Sequence, residues 1–141
     1  MEIIGALKHA DAMIDVLMEP VFEGAPITSS EFDVLIHLRH APEPAIARRL
    51  AHTIGRSPAA MSKSLAKLEN RGLVRREDSA ADRRAALVSI TEAGAAAVDE
   101  VMPRRLAVEA ALLSELNAGE LARVAESLTL LADLADLRAH S

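Results

Sequence analysis

Residues 57–72, SPAAMSKSLAKLENRG, constrain the fold of this chain more than any other stretch. A serine followed by a proline is a typical helix start, because the serine hydroxyl can accept an early backbone N–H and proline suits the first helical position. Gly72 stands where such a helix would end, since glycine readily adopts the left-handed conformation that closes a helix. Met61, Leu65 and Leu68 recur at spacings of four and three residues. The stretch therefore predicts a helix with one buried face.

A shorter helix is predicted just before this one, from about Ala45 to Ile54. Gly55 suits its left-handed end, and only Gly55 and Arg56 separate it from the next helix. Two helices joined by a short glycine-containing turn form a helix-turn-helix. The second helix of that motif, here about 57–71, is the one that enters the major groove of DNA.

The spacing of the apolar residues is no longer helical after Gly72. LVRRE and AALVSI are short runs with β-branched residues, and DSAADRR between them supplies a turn. Two strands and a turn that follow a helix-turn-helix predict a β-hairpin wing over about residues 73–90.

Three further amphipathic helices are predicted outside this region. The first covers residues 2–19 and ends in a loop marked by Pro20; the other two follow Thr91 and the NAGE sequence at 117–120. A capping box, TSSE at 28–31, begins one more helix, which runs to the APEP break at 41–44. The predicted fold is mainly α with an α+β wing. A winged helix-turn-helix region, 28–91, is flanked by helical regions at 1–22 and 95–141.

The flanking helices carry more apolar surface than a small monomer can bury. We therefore predict that they form the interface of a homodimer. The alternative is a self-contained helical bundle.

Charge is distributed unevenly along the chain, whose net charge is −5. Residues 48–84 contain ten Lys or Arg against four Asp or Glu, a net +6, and the remainder contains 6 against 17, a net −11. A basic segment in an acidic protein indicates a face that binds a polyanion. The alternative is a basic surface that is merely solvated.

The predicted recognition helix offers small and polar side chains on its outward face. Alanines allow close approach to base edges, a serine can donate or accept, and a lysine can reach guanine acceptors or phosphate. The predicted contacts are Ser57, Ala59, Ala60, Ser62, Lys63 and Lys67. Contacts to the DNA backbone are predicted for Arg48, Arg49, Arg56 and Arg76. At the wing tip, Arg83 and Arg84 can enter a minor groove, with Asp82 holding an arginine in place or forming the turn.

The segment SPAAMSKSLAKLENRGLVRREDSAADRRAALVSITEAG resembles the core of the MarR family of bacterial winged-helix regulators. The resemblance places the family's wing Asp and Arg on Asp82 and Arg84, and its recognition helix on 57–71. It implies a homodimer that binds pseudo-palindromic double-stranded DNA and often releases it on binding a small molecule. The chain departs from the family in lacking the proline common before this Asp, and in carrying Arg56 at a turn position that is often apolar.

No other function class receives comparable support. Phosphate-binding glycine loops, nucleophile elbows and zinc-protease motifs are absent, so an enzyme is not predicted, and there is no cysteine for disulfides or thiolate metal sites. The N-terminus shows neither a signal peptide nor a membrane span, which predicts a cytoplasmic protein. The alternative function is a winged-helix dimer that binds protein without binding DNA.

The sequence says least about an effector. With almost no aromatic residues, the chain predicts an aliphatic pocket for a small apolar or anionic ligand, and no cofactor. His9, His37 and His40 are candidates for contacts to that ligand; a metal site is not predicted, because no acidic or cysteine partner stands at a recognisable spacing.

Overall fold

The computed structural model describes residues 2–78 and 86–140. The described residues form helices and three short strands, which confirms the predicted mainly helical class. In chain order the elements are α1 (Ile3–Phe22), α2 (Ser29–His40), β1 (Ala45–Ile46), α3 (Ala47–Ile54), α4 (Pro58–Asn70), β2 (Val74–Asp78), β3 (Ala86–Ile90), α5 (Glu92–Leu113) and α6 (Ala118–Ala139). The chain divides into two compact units, one ending at Arg105 and one beginning at Leu106.

Side-chain caps begin the helices where the sequence predicts them. The Thr28 hydroxyl accepts from Glu31 N–H at 3.1 Å, and the Glu31 carboxylate accepts from Thr28 N–H at 2.9 Å, so the capping box is complete. Asn117 and Glu120 form the same reciprocal pair at the start of α6. Each box satisfies two backbone donors that a helix start would otherwise leave unpaired.

The sheet is antiparallel, with β3 between β1 and β2. The pairing of β2 with β3 runs from Val74 opposite Ile90 to Asp78 opposite Ala86, which confirms the strands of the predicted wing. The helix predicted from Ala45 is wrong at its start, since β1 occupies 45–46 and α3 begins only at Ala47. The first two residues pair with β3 instead, and this pairing satisfies their backbone groups outside any helix.

The predicted end of the first helix is also wrong. Pro20 lies inside α1, which continues to Phe22. In the last turn proline removes one helical N–H, and the next residue, Val21, is buried, so packing favours the helical conformation at this point. The Pro20 carbonyl accepts from the Arg104 guanidinium at 2.8 Å, so the backbone at this point is paired.

A hydroxyl joins the wing to the following helix. Thr91 Oγ1 accepts from Gly94 N–H at 3.1 Å, which confirms Thr91 as the cap of α5. The same hydroxyl donates to the Gly72 carbonyl at 2.6 Å, and Thr91 N–H donates to the Leu73 carbonyl at 3.1 Å. The residue after β3 is thereby fixed to the residues that follow α4.

The core of the first unit is aliphatic apart from one phenylalanine ring. Its largest fully buried side chains come from α2, α4, β3 and α5, and they are Phe32, Leu35, Met61, Leu65, Leu68, Val34, Val88, Val98 and Val101. In α1 only Met18 and Val21 are buried. In the second unit, α6 buries none of its described residues. No helix in the described ranges is both long enough and apolar enough to cross a bilayer.

Candidate nucleic-acid interface

The turn between α3 and α4 has the geometry of a helix-turn-helix. Gly55 has φ 80°, and its N–H donates to the Ala51 and His52 carbonyls at 2.9 and 3.1 Å. The next N–H, of Arg56, also donates to the Ala51 carbonyl. A residue with a side chain would be strained at this φ, so glycine is required for α3 to end one residue before the turn.

The N-terminus of α4 is fixed by the residues predicted for it. The Ser57 hydroxyl accepts from Ala60 N–H at 3.1 Å, and Pro58 occupies the first helical position. Met61, Leu65 and Leu68 are buried, as the spacing predicts. The inward face of α4 is therefore set by packing, which decides the face that remains outside.

The outward face of α4 carries every side chain predicted for the recognition helix. The residues exposed to solvent are Ser57, Ala59, Ala60, Ser62, Lys63 and Lys67. Within residues 2–78 and 86–140, neither lysine forms a hydrogen bond or an ion pair. Two small residues and two cations with no internal partner are chemically suited to base edges and phosphate.

Two of the four arginines predicted to contact the DNA backbone have no partner in the described part of the chain. Arg48 and Arg49 are exposed on α3, and their guanidinium groups form no hydrogen bond or ion pair there. An exposed guanidinium of this kind can take a phosphate without first breaking an internal contact.

The other two arginines are engaged inside the protein. Arg56 Nη2 donates to the Ser30 carbonyl at 3.0 Å and to the Ser30 hydroxyl at 2.9 Å, and Arg56 Nη1 is buried with no hydrogen-bond partner among the described atoms. Arg76 donates from its backbone N–H and from Nε to the two oxygens of Glu69, both at 3.3 Å. The phosphate contacts predicted for Arg56 and Arg76 stay predictions, made by side chains that already have internal partners.

The sequence did not single out Arg71, which the structure places at the C-terminus of α4. Its Nη1 donates to the Glu31 carboxylate at 2.5 Å and its Nη2 to the Pro26 carbonyl at 2.5 Å. One feature of the sequence points to this contact: the Glu31 carboxylate of the capping box has a second oxygen that can accept another hydrogen bond. Nothing in the sequence shows that a residue 40 positions away would reach it.

The predicted residues of the wing tip, Asp82, Arg83 and Arg84, lie outside the described residues. Their roles stay predictions. The strands on either side of the tip are described, and Arg75 on β2 is exposed.

The three histidines considered for an effector do not share a site in the described residues. His37 Nδ1 lies 2.7 Å from the Asp33 carbonyl of its own helix, so this ring is hydrogen-bonded locally. His9 and His40 are exposed, and none of the three belongs to a group of three ligand side chains within the described ranges. The geometry gives no support for grouping them around one ligand.

A cavity of about 590 Å³ lies beside the first turn of α2. Its charged lining consists of four carboxylates, and Met18 and Phe22 contribute apolar surface; the carboxylates are those of Asp15, Glu19, Glu23 and Asp33. Burial raises the pKa of the Asp33 carboxyl above its usual value, with a further contribution from Asp15 and partial compensation by Arg105 and Arg56. This lining repels an anion and accepts a neutral or cationic molecule.

A helix-turn-helix with an exposed, partly cationic second helix, followed by a two-stranded wing, defines a winged-helix DNA-binding protein. The comparison with protein families agrees with this class and points to one family within it. The model of the MarR family matches residues 25–85, so over this part the chain is similar to that family.

Related proteins agree with this assignment. The chain is 27% identical to the HTH-type transcriptional regulator PecS of Dickeya dadantii over 122 residues, which cover 85% of this chain and 74% of PecS. Two solved structures show the same fold. MepR of S. aureus, in complex with DNA, has a TM-score of 0.84 at 20% identity and covers 94% of this chain and 98% of its own. CouR of Rhodococcus jostii RHA1, bound to p-coumaroyl-CoA, has a TM-score of 0.80 at 21% identity and covers 93% and 91%.

Proposed function

We propose that the protein is a homodimeric repressor that binds a pseudo-palindromic operator in double-stranded DNA and releases it when a small-molecule effector binds. The observation that carries the proposal is the outward face of α4, where Ser62, Lys63 and Lys67 are exposed opposite a buried seam. MepR, which has the same fold, was solved in complex with DNA.

The proposed contacts divide into two groups. Ser62 and Lys63 read base edges, because they lie in the first half of a helix that enters the major groove N-terminus first. Arg48 and Arg49 bind phosphate and carry no sequence information. Arg84 at the wing tip binds in the adjacent minor groove.

Fluorescence anisotropy with labelled DNA from the region upstream of the gene tests DNA binding directly. The affinity should fall steeply as KCl rises, because each neutralised phosphate contributes about −0.9 to the slope of log K against log salt. Arg49→Gln should reduce that slope, and Lys8→Gln, which removes an exposed cation on α1, should leave it unchanged. Absent or salt-insensitive binding would instead favour a winged-helix module that binds protein.

Selection from a random DNA pool separates the two groups of contacts. Ser62→Ala and Lys63→Gln should change which base pairs are preferred, whereas Arg84→Ala should weaken binding to most sequences equally. If both groups of variants lost affinity equally for every sequence, the readout assigned to α4 would be wrong.

The dimer is supported by apolar side chains that each unit leaves exposed. In α1 they include Ile3, Ile4 and Val16, and in α6 they include Leu130 and Leu137. Burying such stripes against a second copy removes them from water. Sedimentation equilibrium at micromolar concentration should give twice the chain mass of 15.0 kDa; a mass near 15.0 kDa would contradict the dimer.

The effector is supported by the cavity beside α2 and by CouR, which was solved with p-coumaroyl-CoA. Because the cavity is lined by carboxylates, an apolar ligand fits it better than an anionic one. Methyl p-coumarate and p-coumarate form a matched pair of probes that share a ring and differ in charge. The ester should lower the affinity for DNA more than the acid does; the reverse order would place the effector elsewhere.

We also propose that the protein represses transcription and that it acts in the cytoplasm. A transcription regulator of this family works on DNA in the bacterial cytoplasm, and we expect it to act on its own and neighbouring genes. Deleting the gene should raise transcription of the adjacent genes, and a fall would show an activator.

A further inference from the structure

Two arginines flank the recognition helix and both reach the same short segment of the chain. Arg56 precedes the N-cap of α4 and Arg71 is its C-cap residue. We call residues 26–31 the entry segment, since they lead into α2. Arg56 donates to Ser30 of this segment, and Arg71 donates to the carboxylate of Glu31 and the carbonyl of Pro26. The residues at both ends of α4 are thus hydrogen-bonded to the entry segment.

The entry segment is itself fixed. Thr28 and Glu31 close the capping box, and Ile27 and Phe32 are buried on either side of it. Glu31 divides its two oxygens between the partners, since Oε1 accepts from Thr28 N–H and Oε2 from Arg71. A carboxylate held by its own helix cap is a rigid anchor for a guanidinium.

The environment of both arginines differs from that of a phosphate contact. Arg56 Nη1 is buried, and Nη2 has two acceptors on Ser30, so the charged end of this side chain points into the protein. Arg71 is half-exposed, but both of its terminal nitrogens are used by the entry segment. Arg49 on α3 is the opposite case, exposed and without an internal partner in the described residues.

We propose that Arg56 and Arg71 are positioning residues that fix the orientation of α4 against the entry segment, and that sequence readout depends on them although neither neutralises a phosphate. The inference rests on the proposed function, because readout requires that α4 enters the major groove. A positioning arginine affects affinity for the operator but not affinity for DNA in general, whereas a phosphate-binding arginine affects both.

A rotation of α4 by a few degrees moves Ser62 and Lys63 relative to the base edges, but it removes no cation that contacts a phosphate. Losing the alignment of one base contact lowers specific binding by a factor of about 5 to 150 per base pair. Non-specific binding depends on charge and counterion release and is nearly insensitive to such a rotation.

The experiment compares Arg56→Gln, Arg71→Gln and Glu31→Gln with Arg49→Gln as the matched control. Anisotropy is measured with the shortest upstream fragment that the unsubstituted protein binds, and with poly(dI-dC) as non-specific DNA, over a range of KCl. The Arg56 and Arg71 variants should bind the fragment about tenfold more weakly, within the range for one misaligned contact, with little change on poly(dI-dC) and an unchanged salt slope. Arg49→Gln should weaken both and lower the slope by about 0.9 for each phosphate contact removed.

Glu31→Gln is the most informative variant, because a pure charge effect and a positioning effect predict opposite changes in affinity for DNA. Removing an acid near the DNA raises affinity if only charge matters. If Glu31 positions Arg71, the substitution lowers affinity for the fragment, and Glu31→Gln combined with Arg71→Gln is no weaker than either variant alone. Arg71→Lys, which can hold one acceptor of the two, should recover part of the loss.

The following results overturn the inference. They are a loss of salt slope in Arg56→Gln and Arg71→Gln equal to that of Arg49→Gln, a gain of affinity in Glu31→Gln, and additive effects in the double variant. Each variant is checked by circular dichroism, and one that does not fold is replaced by Ser30→Ala or Arg71→Lys, which remove fewer contacts. Failure of the unsubstituted protein to bind any upstream fragment rejects the proposed function and this inference with it, whereas binding that is indifferent to these variants rejects this inference alone.

Discussion

Glu69 on α4 holds Arg76 on β2 through both of its carboxylate oxygens. One oxygen accepts from the Arg76 backbone N–H and the other from Arg76 Nε, each at 3.3 Å. The contact joins the last turn of the recognition helix to the first strand of the wing. Both side chains are partly exposed, 29% for Arg76 and 40% for Glu69, so solvent screens the ion pair.

A double-mutant cycle with Glu69→Gln and Arg76→Gln should therefore give a coupling energy of about 0.2–1 kcal/mol, the range of exposed ion pairs. Urea denaturation of the four proteins measures it. Arg75→Gln provides the control, because Arg75 is exposed on the same strand without a described partner. Its effect should add to that of Glu69→Gln, and an equally large coupling there would show that the pair at 69 and 76 is not specific.

These contacts show which parts of the molecule a single sequence can predict. The capping box at 28–31 and the caps of α4 are local, since acceptor and donor lie three residues apart, so the residue types alone indicate them. The pairing of Arg71 with Glu31 links residues 40 positions apart and leaves no periodic trace.

The two errors in the fold have the same origin. Strand β1 has two residues, too few to show an alternating pattern, and exists because β3 supplies its partners. Pro20 normally signals the end of a helix, but burial of Val21 extends α1 past it. In both places a contact made by folding overrides the local preference.

Gly94 on α5 lies against the backbone that follows α4, and we predict that Gly94→Ala destabilises the protein. A Cβ at this position would stand 2.2 Å from the Leu73 carbonyl oxygen, a backbone atom that cannot move aside as a side-chain end would. Overpacking of this kind costs about 1–3 kcal/mol. Thermal and urea unfolding would measure the loss.

Gly119→Ala is the matched control for that substitution. Gly119 is also helical, but a Cβ there would meet only the Asn117 side chain at 3.4 Å. Alanine is the better helix former by about 1 kcal/mol, so this variant should be as stable as the unsubstituted protein or more stable. Equal losses in the two variants would contradict the role given to the Leu73 carbonyl.

Thr91→Val should lower the free energy of unfolding by about 1 kcal/mol, the usual effect of removing a helix N-cap. Valine keeps the shape and loses the hydroxyl that accepts from Gly94 N–H and donates to the Gly72 carbonyl. Thr53→Val is the control, since among the described residues the Thr53 hydroxyl donates to the Arg49 carbonyl of its own helix and has no other partner. That variant should change the unfolding free energy by a few tenths of a kcal/mol at most; a loss as large as that of Thr91→Val would argue against the cap.

The pH dependence of stability should run in opposite directions for two carboxylates of α2. Burial alone raises the pKa of the Glu31 carboxyl, but the hydrogen bonds and charge supplied by Arg71 and Thr28 hold it below its usual value of 4.5. A lowered folded pKa means that the stabilisation is present above pH 4.5 and is lost as the pH falls through the folded pKa. The stability advantage of the unsubstituted protein over Glu31→Gln should therefore shrink in acid.

Asp33 provides the opposite case within the same helix. Burial raises the pKa of its carboxyl above the usual 3.8, and Arg105 and Arg56 compensate only in part. A raised folded pKa means that its contribution is most favourable below pH 3.8 and is lost as the pH rises through the folded pKa. The unsubstituted protein should thus lose stability relative to Asp33→Asn as the pH rises above 3.8, whereas it gains stability relative to Glu31→Gln as the pH rises towards 4.5. Urea denaturation of the three proteins between pH 3 and pH 7 measures both slopes. A stability difference from Glu31→Gln that does not grow with pH would show that the Arg71 contact does not hold Glu31 ionised, and a difference from Asp33→Asn that grows with pH would show that burial does not raise the pKa of Asp33.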